Sequence, residues 1–173
     1  SLLATDSGGQ SFDECFSLVW WQLQQRFGKR FPIPLGCCSV TVELRGQADV
    51  SHDLASKDCQ AILDFLTHAG VIEGTSAALP ALLRHATPLA AVEPVATPLG
   101  GLLVYHAKPG QHLEAGQLIA EVIDPLSDRV TALRNSQPGL LYARSVRRMA
   151  TAGMVIAHVA GEQVCRSGYL LAN

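Results

Sequence analysis

Several features that would place a sequence quickly are scarce here. There are only three lysines, Lys29, Lys57 and Lys108, and no histidine before His52. There is no C-x-x-C pair, and the five cysteines (Cys15, Cys37, Cys38, Cys59, Cys165) are odd in number and irregularly spaced. That excludes a disulfide frame and fits reduced thiols, used as small apolar residues, in a cytoplasmic protein. No apolar run approaches the roughly 20 residues a helix needs to span a bilayer, so no membrane partner is expected. A formal net charge of −2 and a pI near 6.3 supply no basic stripe for nucleic acid. The chain has no initiator Met, and Ser1 to Gly9 reads as a loop. A piece of a longer polypeptide without a secretory leader is the expectation.

What is present is enough to fold. The 173 residues are 48% hydrophobic, which supports a packed core and one medium or two small domains. Ser11-Phe12-Asp13-Glu14 has the form of a capping box, and Phe12, Cys15, Phe16, Val19, Trp20, Leu23 and Phe27 recur at helical spacing up to Gly28. Trp20 falls on that stripe and Trp21 beside it, which suggests a further surface to cover. Ser51 and Asp53 open a second helix that Gly70 closes near Ala69, with Leu54, Cys59, Ile62, Leu63, Phe65 and Leu66 on its apolar side.

Between the helices, Cys37 to Val42 are small or β-branched, as suits a covered strand. The strand is expected to run over 37–45 and to end in Val40-Thr41-Val42-Glu43-Leu44-Arg45-Gly46. A charge at the end of a buried strand is costly unless paired or used. Glu43 is therefore the best candidate for chemistry, and an ion pair with Arg45 or another cation is the plainer alternative. Helix, strand, helix is the rhythm of an α/β layer, and one strand cannot complete such a layer alone. The fold class expected is α+β: a partial α/β segment over 1–75, a linker over 76–93 with a helical turn near Ala81 to Arg84, and an all-β domain over 94–173.

The β half contains a repeat. Gly101-Leu102-Leu103 aligns with Gly139-Leu140-Leu141, and Ala115 to Val122 aligns with Ala152 to Val159. The glycines of the two copies are 15 and 14 residues apart (Gly101 to Gly116, Gly139 to Gly153). A small pseudo-symmetric sandwich or barrel follows, each copy burying its apolar face against the other.

Two resemblances enter on these residues. Ala96-Thr97-Pro98-Leu99-Gly100-Gly101 and Gly110 to Leu118 resemble the barrel-sandwich hybrid of biotinyl and lipoyl carrier domains. Carriers of that kind bear an acceptor lysine on the hairpin between the copies; here Asp124-Pro125-Leu126-Ser127-Asp128-Arg129 stands there without one. The resemblance thus implies the architecture and not the carrier role. Across nearly the whole chain, Ser39 to Gln47, Gly70-Val71-Ile72-Glu73-Gly74 and Pro94 to Gly161, taken in order, resemble the C-terminal half of the succinylglutamate desuccinylase/aspartoacylase family, zinc-dependent amidohydrolases related to zinc carboxypeptidases.

That resemblance implies a parent enzyme that hydrolyses small-molecule N-acyl amino acids or related amides. Glu43 stands at the position of the family's general base and acid, which takes a proton from zinc-bound water and hands it to the leaving amine. Arg45 is a candidate for holding a substrate carboxylate, with a structural ion pair as the alternative. The family's zinc ligands are a His-x-x-Glu pair and a later His upstream of that Glu. Residues 1–42 contain no histidine, so this chain holds no metal ligand, and zinc belongs to the parent protein. Alone, the chain is expected to be inactive. The competing reading is a non-catalytic sandwich module for interaction or oligomerisation. Exposed edges and apolar faces of helix 11–28 and of the single strand 37–45 predict self-association into a homo-oligomer. His106 reads as half-exposed packing, Arg144, Arg147 and Arg148 as a basic turn, and Cys37-Cys38 as buried small residues.

Overall fold

Helical periodicity and turn chemistry carry directly into the elements. The computed structural model describes residues 3–4, 12–81, 85–168 and 170. A short strand β1 (Leu3–Ala4) precedes helix α1 (Phe12–Phe27). The Ser11 cap and the helical turn expected up to Arg84 lie outside the described residues. Helix α2 (His52–His68) begins as its sequence predicts: the Ser51 Oγ accepts the Leu54 amide at 3.2 Å, and Gly70 follows its end at φ +72°. The chain divides into two compact units, Ser39–Arg84 and the combination of Ser1–Cys38 with His85–Asn173.

In the larger unit, the segment after α1 folds back on the helix. Gln24 Nε2 donates to the Ile33 carbonyl at 3.1 Å, and the backbone at Gly36 meets the Trp20 indole so closely that a Cβ there would come within 2.3 Å of it. Trp20 is half-buried for this reason, and Trp21 stays exposed. Beyond Arg84, β2 (Thr87–Pro88) pairs parallel with β1, and a 3₁₀ turn at Leu89–Ala91 leads into the sandwich.

The sandwich has eight strands: β3 (Val92–Ala96), β4 (Gly101–Tyr105), β5 (His112–Leu113), β6 (Leu118–Ile123), β7 (Val130–Arg134), β8 (Gly139–Arg144), β9 (Met149–Ala150) and β10 (Val155–Ala160). They form two antiparallel four-stranded sheets, ordered β3-β10-β8-β5 and β7-β6-β4-β9, which do not close into a barrel. The repeat explains the order. Strands β3 to β6 are the first copy and β7 to β10 the second, and exchanging copies turns one sheet order into the other. Each sheet thus takes two strands from each copy, so neither copy is a sheet by itself.

Both copies also share a bulge. β6 shifts register between Leu118 and Ala120, and β10 does so between Val155 and Ala157. A bulge puts two successive side chains on one face, and Ile119-Ala120 and Ile156-Ala157 are all buried. With Leu103, Leu113, Val122, Leu133, Leu141 and Val159 they form the core. At the turns, Gly116 (φ +76°) and Gly153 (φ +81°) take the left-handed conformation that glycine adopts without strain.

Two expectations are corrected. Residues 37–45 form no strand: among the described residues no ladder partner is present for them, and residues 41–50 are all exposed. A strand exists only against a neighbour that accepts its amides and carbonyls. For the same reason α2 buries no residue, and Ile62, Leu63 and Phe65 stand 47%, 44% and 50% exposed where a sheet would cover them. Cys37 and Cys38 are not buried; Cys37 is half-exposed and Cys38 exposed, both as free thiols. Among the described residues no helix is long and apolar enough to cross a membrane.

Candidate functional site

The candidate site lies in the Ser39–Arg84 unit. Val40 to Leu44 run exposed, and Glu43 makes no hydrogen bond or ion pair among the described residues. Arg45 then turns the chain with φ +56°, a left-handed conformation in which the Cβ of an L residue crowds the backbone carbonyl. The turn continues at Gly46, whose amide donates to Asp49 Oδ2 at 3.0 Å while the Asp49 amide returns to the Gly46 carbonyl at 3.0 Å. Ser51 then caps α2.

Arg45 is held by α2. Its Nη2 donates to Asp58 Oδ1 at 2.7 Å and its Nη1 to Asp58 Oδ2, a two-pronged guanidinium–carboxylate pair. The pair raises the Arg45 pKa above its ordinary value and lowers that of Asp58, in both cases through the hydrogen bonds first. The plain ion-pair reading of Glu43 with Arg45 is therefore not what forms: Arg45 turns to the helix and leaves the Glu43 carboxylate facing solvent. Asp58 was not legible as the partner, because its place depends on a turn that brings together residues 13 apart.

The remaining residues singled out by sequence sit in the larger unit. The exposed His106, just beyond the end of β4, places Nε2 2.8 Å from Oε2 of the half-exposed Glu121 on β6. The Asp124–Arg129 turn joins β6 to β7, the junction of the two copies. It is built on Asp124, whose Oδ1 accepts the Leu126 amide at 2.9 Å and whose Oδ2 accepts the Ser127 hydroxyl at 2.7 Å. Those two bonds lower the Asp124 pKa. Among the described residues, no three His, Cys, Asp or Glu side chains converge as a metal site would need. These residues do not fit a zinc ion.

No protein-family model and no curated protein matches the sequence. Solved structures match the fold. A protein from Shewanella amazonensis assigned to the succinylglutamate desuccinylase/aspartoacylase family superposes with a TM-score of 0.81 at 22% identity, over 91% of this chain and 45% of its own. The fold is the fold of that family's structures. A protein of the same assignment from Shewanella frigidimarina gives 0.78 at 23% identity, over 92% of this chain and 44% of its own. A succinylglutamate desuccinylase from a Silicibacter species gives 0.58 at 16% identity, over 93% and 53%. The chain thus carries the desuccinylase/aspartoacylase fold across nearly all its residues while spanning about half the length of these structures or less.

Proposed function

We propose that this chain is the C-terminal portion of a hydrolase of N-acyl amino acids, and that Glu43 is its proton carrier. The observation that carries the reading is the length of the match: 91% of the chain, more than the sandwich alone contributes, follows a structure assigned to the desuccinylase/aspartoacylase family. In this reading the Glu43 carboxylate takes the proton of the attacking water and delivers it to the departing amine. A solvent-facing, unpartnered carboxylate is free to do both. Arg45 sets the turn that presents Glu43 through its grip on Asp58; to hold a substrate carboxylate it would have to release that partner. The family's zinc would be bound by residues outside this chain. The exchanged-strand sandwich, in the same reading, is a barrel-sandwich hybrid whose carrier hairpin, Asp124 to Arg129, has no lysine to load.

The test is the natural polypeptide that contains these residues, assayed on N-acyl amino acids with Glu43→Gln beside the unaltered protein. Removal of a general base costs on the order of 10²- to 10⁴-fold in turnover. Turnover within a few-fold of the parent ends the proposal.

The second reading, a non-catalytic assembly module, draws on the apolar side chains left uncovered: Phe12, Phe16, Val40, Val42 and Phe65 are each at least half exposed. A natural polypeptide that hydrolyses no amide yet associates through the apolar side chains of either unit would favour it.

A further inference from the structure

Three arginines stand within five residues, Arg144-Ser145-Val146-Arg147-Arg148, in a chain whose acidic side chains outnumber its basic ones. They lie where β8 leaves its sheet and the chain turns into β9. Two of them converge on one aromatic ring: Arg144 Cζ is 4.7 Å from the Tyr105 ring centroid and Arg148 Cζ 5.5 Å from it. The platform is fixed. Tyr105 is half-buried at the end of β4, and its hydroxyl donates to the Ile156 carbonyl at 2.9 Å. Arg144 is fixed as well, through Nη1 donating to the Ala107 carbonyl at 2.8 Å. The turn carrying Arg148 is tightened by the Arg147 amide donating to Ser145 Oγ at 3.2 Å.

The two guanidinium charges are therefore at most about 10 Å apart by their ring distances, roughly one screening length at 0.1 M salt. Like charges at that range repel. Among the described residues neither guanidinium forms an ion pair with a carboxylate; the carboxylates of Asp58, Asp53 and Glu121 pair with Arg45, Lys57 and His106 instead. Packing against Tyr105 needs one arginine, not two. Contact with a ring also leaves guanidinium N–H donors available, and Arg144 has committed one nitrogen.

We propose that this turn binds a small oxyanion, a carboxylate or a phosphate, between Arg144 and Arg148 on the Tyr105 platform. The anion removes the repulsion and takes donors that the fold leaves unpaired. The inference is separate from the hydrolase reading, since Glu43 has no part in it.

The experiment is a titration of the whole chain, labelled with ¹⁵N, with sodium phosphate and, separately, sodium acetate, at ionic strength held constant with sodium chloride. Saturable shifts of the Tyr105 and Arg144 to Arg148 amides are expected with at least one anion. Phosphate alone, acetate alone or both identify the oxyanion taken. Arg148→Gln removes charge-assisted donors and should weaken binding by about tenfold or more. Arg148→Lys keeps the charge, loses the fork and should fall between. Arg129→Gln, an exposed arginine in the turn between β6 and β7, should leave binding unchanged. Linear, unsaturable shifts with both anions overturn the proposal, as does equal weakening by Arg129→Gln.

Discussion

Replacing Gly101 or Gly139 by alanine should unsettle the sandwich far more than the same change at its turns. The two glycines are equivalents in the two copies, each opening a strand beside the end of a partner strand. A Cβ on Gly101 would lie 2.3 Å from the Ile123 carbonyl oxygen, and one on Gly139 would lie 2.6 Å from the Ala160 oxygen and 2.8 Å from Val159 Cγ1. Both oxygens belong to the last residues of β6 and β10, strands flanked on both sides within their sheets, so they cannot withdraw without disturbing two ladders. Overpacking of this kind costs about 1–3 kcal/mol. Gly101 adds a φ of +154°, outside the range of an L side chain, which contributes a further 1–3 kcal/mol or so. Gly116→Ala meets nothing within 4 Å and bears only left-handed strain, about 1–2 kcal/mol. The expected order of loss is Gly101→Ala, then Gly139→Ala, then Gly116→Ala. Against a typical stability of about 5–15 kcal/mol, the first should lower the urea midpoint severely or prevent folding. Urea denaturation followed by circular dichroism reads all three. A Gly139→Ala protein as stable as Gly116→Ala would refute the close approach of β8 to the end of β10.

Two other outcomes follow from exposed or buried groups. His158 lies in β10 between β3 and β8, its ring 5.9 Å from that of Tyr142 and its Nδ1 buried without a partner; burial first, and then the charge of Arg166, lowers its pKa. A depressed folded pKa means the stability is present above the unfolded value of about 6.5 and is lost as pH falls through the folded value. Proton NMR should therefore show His158 titrating below 6.5, and His158→Phe should remove that part of the acid destabilisation; titration at or above 6.5 contradicts it. The isolated chain should self-associate, because completing the cover of Ile62, Leu63 and Phe65 alone is worth on the order of 3 kcal/mol. Light scattering across a concentration series checks this, and a monomer throughout would refute it.

Local signals set what was legible in the sequence. Residue spacing and end chemistry specify a helix within a few turns, so α1 and α2 stand where Phe12 to Phe27 and Ser51 to Gly70 place them. The repeat was equally legible, because Gly116 and Gly153 answer a local demand for positive φ and the apolar runs after them answer burial. What no local signal carried was pairing. Strict alternation misses the bulges that bury Ile119 with Ala120 and Ile156 with Ala157. The repeat does not say that its copies exchange strands, and Arg45 does not announce Asp58. The error over 37–45 has the same root. Its β-branched residues state a preference for a pleated, covered surface, but a strand is a relation between two backbones. Sequence decided which residues suit a strand or helix; only the tertiary structure decided which of them find a neighbour, because ladder hydrogen bonds and shared apolar faces form between segments and not within one.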